Sequence, residues 1–136
     1  MVKIPLEQPL FDRVDGVAFF ERLVDRFYEA VVIDPFLGPL YPADDIDGAR
    51  ERLTLFLVQY WGGPTTYGDT RGHPRLRMRH AGFEIGEAER EAWFRHMAIS
   101  VGVAFNAGEI SEEDEARMLS YFAMAAAHMV NVPEGD

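Results

Sequence analysis

The residues best suited to chemistry lie between positions 60 and 83, where a glycine- and proline-rich segment interrupts a strongly helical chain. This segment leads to His80, which follows arginines at positions 75, 77 and 79. Closely spaced cations beside an imidazole need an anion, yet the whole chain has a formal net charge of −10. A buried cofactor that brings its own carboxylates and is bound through His80 accounts for both facts, and haem is such a cofactor.

The other histidines show no recognisable metal-binding pattern. The chain contains neither the His-x-x-x-His pair of a helical zinc site nor the Glu-x-x-His pair of a carboxylate di-iron bundle. Surface or structural roles are therefore predicted for His73, His96 and His128. A single histidine is more often structural than ligating, so both interpretations of His80 stay open on this residue alone.

Three polar aromatic residues on separate elements could form a binding chamber. Tyr28 lies on an apolar helical face, Tyr41 lies at a proline-rich corner, and Trp93 lies on the inner stripe of a later helix. Each carries a hydrogen-bond donor that is costly to bury without a partner. Backbone carbonyls would satisfy any one of them. If the three converge, they make an apolar chamber with O–H and N–H donors, suited to a diatomic ligand.

Composition limits the classes of protein that fit. A chain of 136 residues is expected to form one domain. It has no cysteine, which excludes disulfides, thiolate metal sites and thiol nucleophiles. The acidic net charge argues against nucleic acid and anionic membranes as partners, and no apolar run approaches the length of a membrane span. Without a secretory signal pattern at its start, the chain is predicted to be cytoplasmic. The arginines at 71, 75, 77, 79, 90 and 95 form a basic island, for which a solvated surface of mixed charge is the alternative interpretation.

Apolar residues at three- and four-residue steps predict an all-α fold, and no strand pattern competes. The four main helices are predicted at 17–33, from Asp45 or Asp47 to about 61, at 87–105 and at 112–131. Ser111 is the predicted cap of the last helix. A brief helical turn is predicted to carry His80, and the first fifteen residues are predicted to be extended or weakly helical.

Several motifs resemble one family. The run Tyr-Trp-Gly-Gly-Pro from Tyr60, followed by Arg-Gly-His-Pro-Arg-Leu-Arg-Met-Arg-His-Ala from Arg71, is similar to the group II truncated haemoglobins. These are short globins with a two-over-two helical sandwich around haem. Phe27-Tyr28, Leu40-Tyr41-Pro42, Ala92-Trp93 and the late Ala-Met-Ala-Ala-Ala-His segment agree in order and spacing. The resemblance implies a globin domain at 16–131, an N-terminal extension at 1–15 and a tail at 132–136.

The resemblance also implies roles for particular residues. His80 would be the iron ligand of haem b, Tyr28, Tyr41 and Trp93 would line the distal pocket, and Ala49 would lie on the helix over the haem. Arg52, Tyr67 and Arg79 match positions expected to meet the propionates. The full set of implied cofactor contacts is Arg52, Leu53, Phe56, Tyr67, Met78, Arg79, His80, Phe83 and Trp93. Two departures are Gly16, which stands where the family has a glycine pair, and Gly82, which stands where proline is common.

The function implied is binding of O2, CO and NO with slow release of O2, since one hydrogen bond to a charged group contributes about 1.5–3 kcal/mol. The conversion of NO and bound O2 to nitrate is one hypothesis, and it needs an unidentified electron donor. An O2 carrier or sensor without turnover is the alternative. Weak peroxidase activity is disfavoured because tyrosine, with a pKa near about 10, is a poor general base. An acidic interaction module without a cofactor is a further alternative. The sequence does not decide whether the chain forms a homodimer, nor which of the three distal donors dominates.

Overall fold

The computed structural model of the chain describes residues 9–71 and 85–130, apart from the side chains of Thr70 and Arg71. Within these ranges the chain is helical and has no strand, which confirms the all-α fold. None of the helices described is both long and apolar enough to cross a membrane. The α-helices are α1 Leu10–Arg13, α2 Gly16–Val31, α3 Ile46–Tyr60, α4 Thr66–Arg71, α5 Glu87–Asn106 and α6 Glu112–His128.

The four long helices form two pairs. Helix α2 packs on α3, helix α5 packs on α6, and α2 also packs on α5, so the pairs are stacked as a two-over-two sandwich. The inner face of α2 supplies much of the core, because Phe20, Leu23, Val24 and Phe27 are completely buried. Their spacing of three and four residues is the periodicity that predicted this helix.

Helix α2 ends at Val31, two residues before the predicted end at 33, and Asp34 and Pro35 lie in the loop that follows. Proline disfavours helical geometry in the residue before it, so the helix cannot readily continue through Asp34. The Asp34 carboxylate then organises the turn: its Oδ1 accepts hydrogen bonds from the backbone N–H groups of Phe36 at 2.7 Å and Leu37 at 3.0 Å. A short 3₁₀ turn at Gly38–Leu40 follows and leads to Tyr41.

The predicted helix caps have different outcomes. Ser111 Oγ accepts a hydrogen bond from the Asp114 backbone N–H at 3.1 Å, which confirms the cap of α6, although this helix ends at His128 and not at 131. Asp45 occupies the N-cap position of α3, but its side chain makes no capping hydrogen bond. The carboxylate pairs instead with the Arg52 guanidinium at 2.6 Å, because a charge-assisted bond is stronger than one to a neutral backbone N–H.

The segment after Trp61 was predicted to be irregular, but part of it forms helix α4. Tyr67 is buried within this helix, and the Gly68 backbone N–H donates to the Gln59 side chain at 2.6 Å. A Cβ at Gly68 would lie 3.1 Å from that Gln59 oxygen, which is closer than usual. Contacts with α3 therefore support this short helix, and local periodicity could not reveal them.

The N-terminal residues of the described chain pack as part of the domain. Leu10 is buried, and the Phe11 ring stacks on Phe20 with ring centroids 6.4 Å apart. Arg13 makes a two-pronged ion pair with Asp114, at 2.7 and 3.1 Å. Helix α1 is thereby tied to the first turn of α6, the last helix.

We expect Asp114→Asn to lower the free energy of unfolding at pH 7 by about 2–4 kcal/mol, because the change removes one charge of a largely buried ion pair. The Asp114 side chain is only 6% exposed. The hydrogen bond from Arg13 lowers the pKa of Asp114, although burial opposes the shift. A lowered pKa stabilises the fold above the unfolded pKa of about 4, and this stabilisation is lost as the pH falls.

Urea unfolding at pH 7 and pH 3 measures this effect, and the difference between wild type and Asp114→Asn should shrink at pH 3. The matched control is Asp25→Asn, which removes the exposed Asp25–Arg50 pair and is expected to cost under about 1 kcal/mol. Equal losses from the two variants at pH 7 would show that the Arg13–Asp114 pair has no special role.

Candidate functional site

A cavity of about 550 Å³ opens between the two helix pairs. This volume lies in the range of cofactor and ligand pockets. The structure brings together around it every predicted site residue that it describes: Tyr28, Tyr41, Ala49, Arg52, Leu53, Phe56, Tyr67 and Trp93. Met78, Arg79, His80 and Phe83 lie outside the described residues.

Several lining residues were not singled out from the sequence as site residues. Leu37 and Leu40 reach the cavity from the turn after α2, Ile85 precedes α5, Tyr121 lies within α6, and Met129 follows the end of α6. Met129 continues the apolar stripe of Phe122 and Ala126 in steps of four and three residues, so periodicity could have indicated it. The others depend on how the turn and helix ends meet in the fold, which no local pattern encodes.

The three polar aromatic residues converge on one side of the cavity. The Tyr28 and Tyr41 rings meet edge to face with centroids 5.3 Å apart. Phe27 lies between Tyr28 and Trp93, with ring centroids 5.0 and 5.2 Å away. Because Tyr28 and Phe27 are buried on α2 and Trp93 projects from α5, the packing of these two helices fixes the group.

Tyr28 and Trp93 lie close enough to the Tyr41 hydroxyl to influence its ionisation. Burial raises the pKa of Tyr41, while hydrogen bonds from Tyr28 and Trp93 act in the opposite direction. Burial also raises the pKa of Tyr28, and the bond to Tyr41 raises it further, as expected for a donor. Trp93 can only donate. All three side chains line the cavity, so their O–H and N–H groups lie beside the space that a ligand would occupy.

An ion pair behind this group fixes the corner that carries Tyr41. His96 Nε2 lies 2.7 Å from Asp34 Oδ2, and Arg95 lies 3.6 Å from the same oxygen. Burial would raise the pKa of Asp34, but the hydrogen bonds from His96, Phe36 and the next backbone N–H together lower it. His96 thus has a structural contact, as predicted, and His128 is exposed at the end of α6.

A cation lies at the rim of the cavity. Arg52 lines it, yet its side chain is 37% exposed, so the guanidinium is at the boundary with solvent. Its pair with Asp45 passes close over Gly48, where a Cβ would lie 2.5 Å from the Asp45 carboxylate and 2.9 Å from Arg52. Glycine at this position therefore allows the ion pair to form, and the pair raises the pKa of Arg52.

Comparison with known proteins identifies the family. Residues 9–131 match the model of the bacterial-like globins. The chain is 38% identical over 121 residues to the group 2 truncated haemoglobin YjbI of Bacillus subtilis, covering 89% of this chain and 88% of that protein. The chain belongs to the group II truncated haemoglobins. It is accordingly a haem globin that binds diatomic gases such as O2.

Solved structures of truncated haemoglobins share the fold. A thermostable haemoglobin from Thermobifida fusca superposes with a TM-score of 0.86 at 48% identity, over 93% of this chain and 99% of that one. A truncated oxygen-avid haemoglobin from Bacillus subtilis superposes with a TM-score of 0.79 at 33% identity, over 90% and 99%.

The described residues suit a flat, largely apolar cofactor with carboxylates at one edge. Leu37, Leu53, Phe56 and Phe122 provide apolar walls, while Arg52 supplies a cation at the rim. This combination of apolar surface and peripheral positive charge is what the haem of a truncated haemoglobin requires.

Proposed function

We propose that haem b binds in this cavity through His80 and that the chain retains O2 there with slow release. Haem, when bound, supplies the iron at which O2, NO or CO attaches. The protein's part is to hold the cofactor edge near Arg52 and Tyr67 and to direct hydrogen-bond donors at the gas. Three observations support His80 as the iron ligand: the arginine-rich motif that leads to it, the presence of a cavity of suitable size, and membership of the globin family.

The observation that carries the proposal is the convergence of Tyr28, Tyr41 and Trp93 on one side of the cavity, where the packing of the aromatic rings is in place before a ligand arrives. Tyr28 and Trp93 both act to lower the pKa of Tyr41, as donors directed at its oxygen would, and this leaves the Tyr41 hydrogen for a ligand. A preorganised donor of this kind stabilises developing negative charge without first having to reorient. Tyr41 is therefore the proposed dominant donor, with Tyr28 and Trp93 acting largely through it.

Slow release favours chemistry on O2 over its delivery. NO and O2 combine with one electron to give nitrate, so each turnover needs an electron from a donor outside the chain. The small side chain of Ala49 on the cavity wall leaves room for NO to approach. The structural similarity to a truncated oxygen-avid haemoglobin from Bacillus subtilis fits this choice. The absence of cysteine suits a reducing compartment, and we propose a cytoplasmic location on that ground.

Stopped-flow measurement of O2 dissociation, followed by mixing the same oxygenated protein with NO, tests the proposal. We expect slow O2 release together with rapid and stoichiometric nitrate formation. Slow release without nitrate would support an O2 sensor. Fast release would contradict the role given to Tyr41 and would indicate a carrier.

A further inference from the structure

Two tyrosines form a stack between the cavity and the protein surface. The rings of Tyr60, at the end of α3, and Tyr121, on α6, lie with centroids 4.2 Å apart and planes 28° from parallel. Tyr121 lines the cavity, while Tyr60 is 50% exposed. One phenol therefore faces the site and its stacked neighbour faces solvent.

Trp61 packs beside this tyrosine stack. Its ring lies 4.9 Å from Tyr60 and 5.1 Å from Tyr121, measured between centroids. Packing accounts for the rings, and the hydroxyls add a chemical property that phenylalanine at the same positions would lack. Phenols differ from phenylalanine in being oxidisable by one electron at moderate potential.

We propose that Tyr121 and Tyr60 form a path that carries oxidising equivalents from the cavity to the surface, where a small reducing substrate such as a phenol or an enediol is oxidised. The inference rests on the haem binding of the proposed function and adds an activity to it. The oxidant is hydrogen peroxide, which reaches the cavity and accepts two electrons and two protons to leave as two water molecules.

Electrons move inward one at a time. In each of two steps Tyr121 supplies one electron and its hydroxyl proton for the reduction of the peroxide in the cavity. Tyr121 is then restored by an electron from Tyr60 and a proton from water, to which Tyr60 releases its own hydroxyl proton. Tyr60 then recovers an electron and a proton from the reducing substrate, so two substrate molecules supply what one peroxide consumes. Burial and the neighbouring Tyr60 raise the pKa of Tyr121 to about 12, which keeps its phenol protonated at neutral pH before it is oxidised.

Without a reducing substrate, the same path predicts a covalent product. The two phenols themselves then supply both electrons and both protons, and a carbon–carbon bond forms between ring positions next to the hydroxyls. The 4.2 Å stacking places the rings within reach of this reaction.

The test treats the haem-loaded protein with one equivalent of hydrogen peroxide, with and without ascorbate, and locates the dityrosine by mass spectrometry of its tryptic peptides. We expect a link between Tyr60 and Tyr121 that ascorbate prevents and that is lost completely in Tyr60→Phe and in Tyr121→Phe. Both variants keep the aromatic ring and therefore its packing. If Tyr60 and Tyr121 had only a structural role, the oxidation of the other tyrosines would be the same in each variant as in the wild type. Electron paramagnetic resonance should show a tyrosyl radical in wild type that disappears in Tyr121→Phe.

Each other outcome overturns the path. A link between Tyr28 and Tyr41 alone, or a radical unaffected by Tyr121→Phe, would place the oxidised residues elsewhere. Haem absorbance without any Tyr60–Tyr121 product would contradict the path while leaving the proposed gas chemistry intact. A protein that takes up no haem would contradict both.

Discussion

His80→Ala is expected to abolish tight haem binding. Loss of a residue that only supports a metal ligand costs about 10- to 100-fold in affinity, so loss of the ligand itself should cost at least about 100-fold. The variant should purify largely without haem absorbance, and added imidazole should restore binding by occupying the space of the missing side chain. Absorbance spectra and the rate of haem transfer to an acceptor globin provide the measurements.

His128→Ala is the matched control for this prediction, because His128 is exposed at the end of α6 and does not line the cavity. It should retain haem as the wild type does. Full haem retention and an unchanged spectrum in His80→Ala would show that another residue binds the iron.

Tyr41→Phe is expected to accelerate O2 dissociation by about 10- to 150-fold, which corresponds to the loss of one charge-assisted hydrogen bond of about 1.5–3 kcal/mol. The substitution keeps the ring that packs on Tyr28 and removes only the hydroxyl. Stopped-flow displacement of O2 by CO measures the rate.

Companion variants separate direct from indirect donors. Tyr28→Phe should have a smaller effect than Tyr41→Phe, because we propose that the Tyr28 hydroxyl is directed at Tyr41 and not at the ligand. Trp93→Phe removes a donor that lines the cavity and supports Tyr41, so we expect an acceleration of about tenfold, near the lower end of the range for such a bond. A larger effect at Tyr28 than at Tyr41 would reverse the proposed hierarchy.

The main helices could be predicted from the sequence because their apolar residues repeat with the helical period, as on the face of α2 that carries Phe20, Leu23 and Phe27. Tyr60 follows Phe56 by four residues and so continues the apolar stripe of α3, yet half of the Tyr60 side chain is exposed. Periodicity gives the direction of a side chain around a helix, but not whether a neighbouring element covers the helix end.

For the site, the sequence likewise indicated individual residues but not the contacts between them. Tyr28, Tyr41 and Trp93 could be selected because buried polar aromatics are unusual, and motif resemblance gave them a common purpose. Their convergence depends on contacts between segments that are far apart in the chain. The same is true of the Asp34–His96 contact and of the position of Tyr121 at the cavity. Spacing along one helix carries no information about contacts between distant segments. Asp45 shows a further limit of prediction from sequence. Its carboxylate could cap helix α3 or pair with Arg52, and the sequence does not say which partner it takes.

Burial of Tyr28 and Tyr41 has a consequence for the conditions under which the protein works. Both pKa values lie above that of an ordinary phenol, so neither hydroxyl ionises across the range of acidity found in living cells. Both hydroxyls therefore keep their hydrogens while the surroundings become more acidic or more alkaline. Groups that do not titrate cannot make gas binding depend on pH, so any retention of O2 that rests on these two tyrosines would be insensitive to acidity.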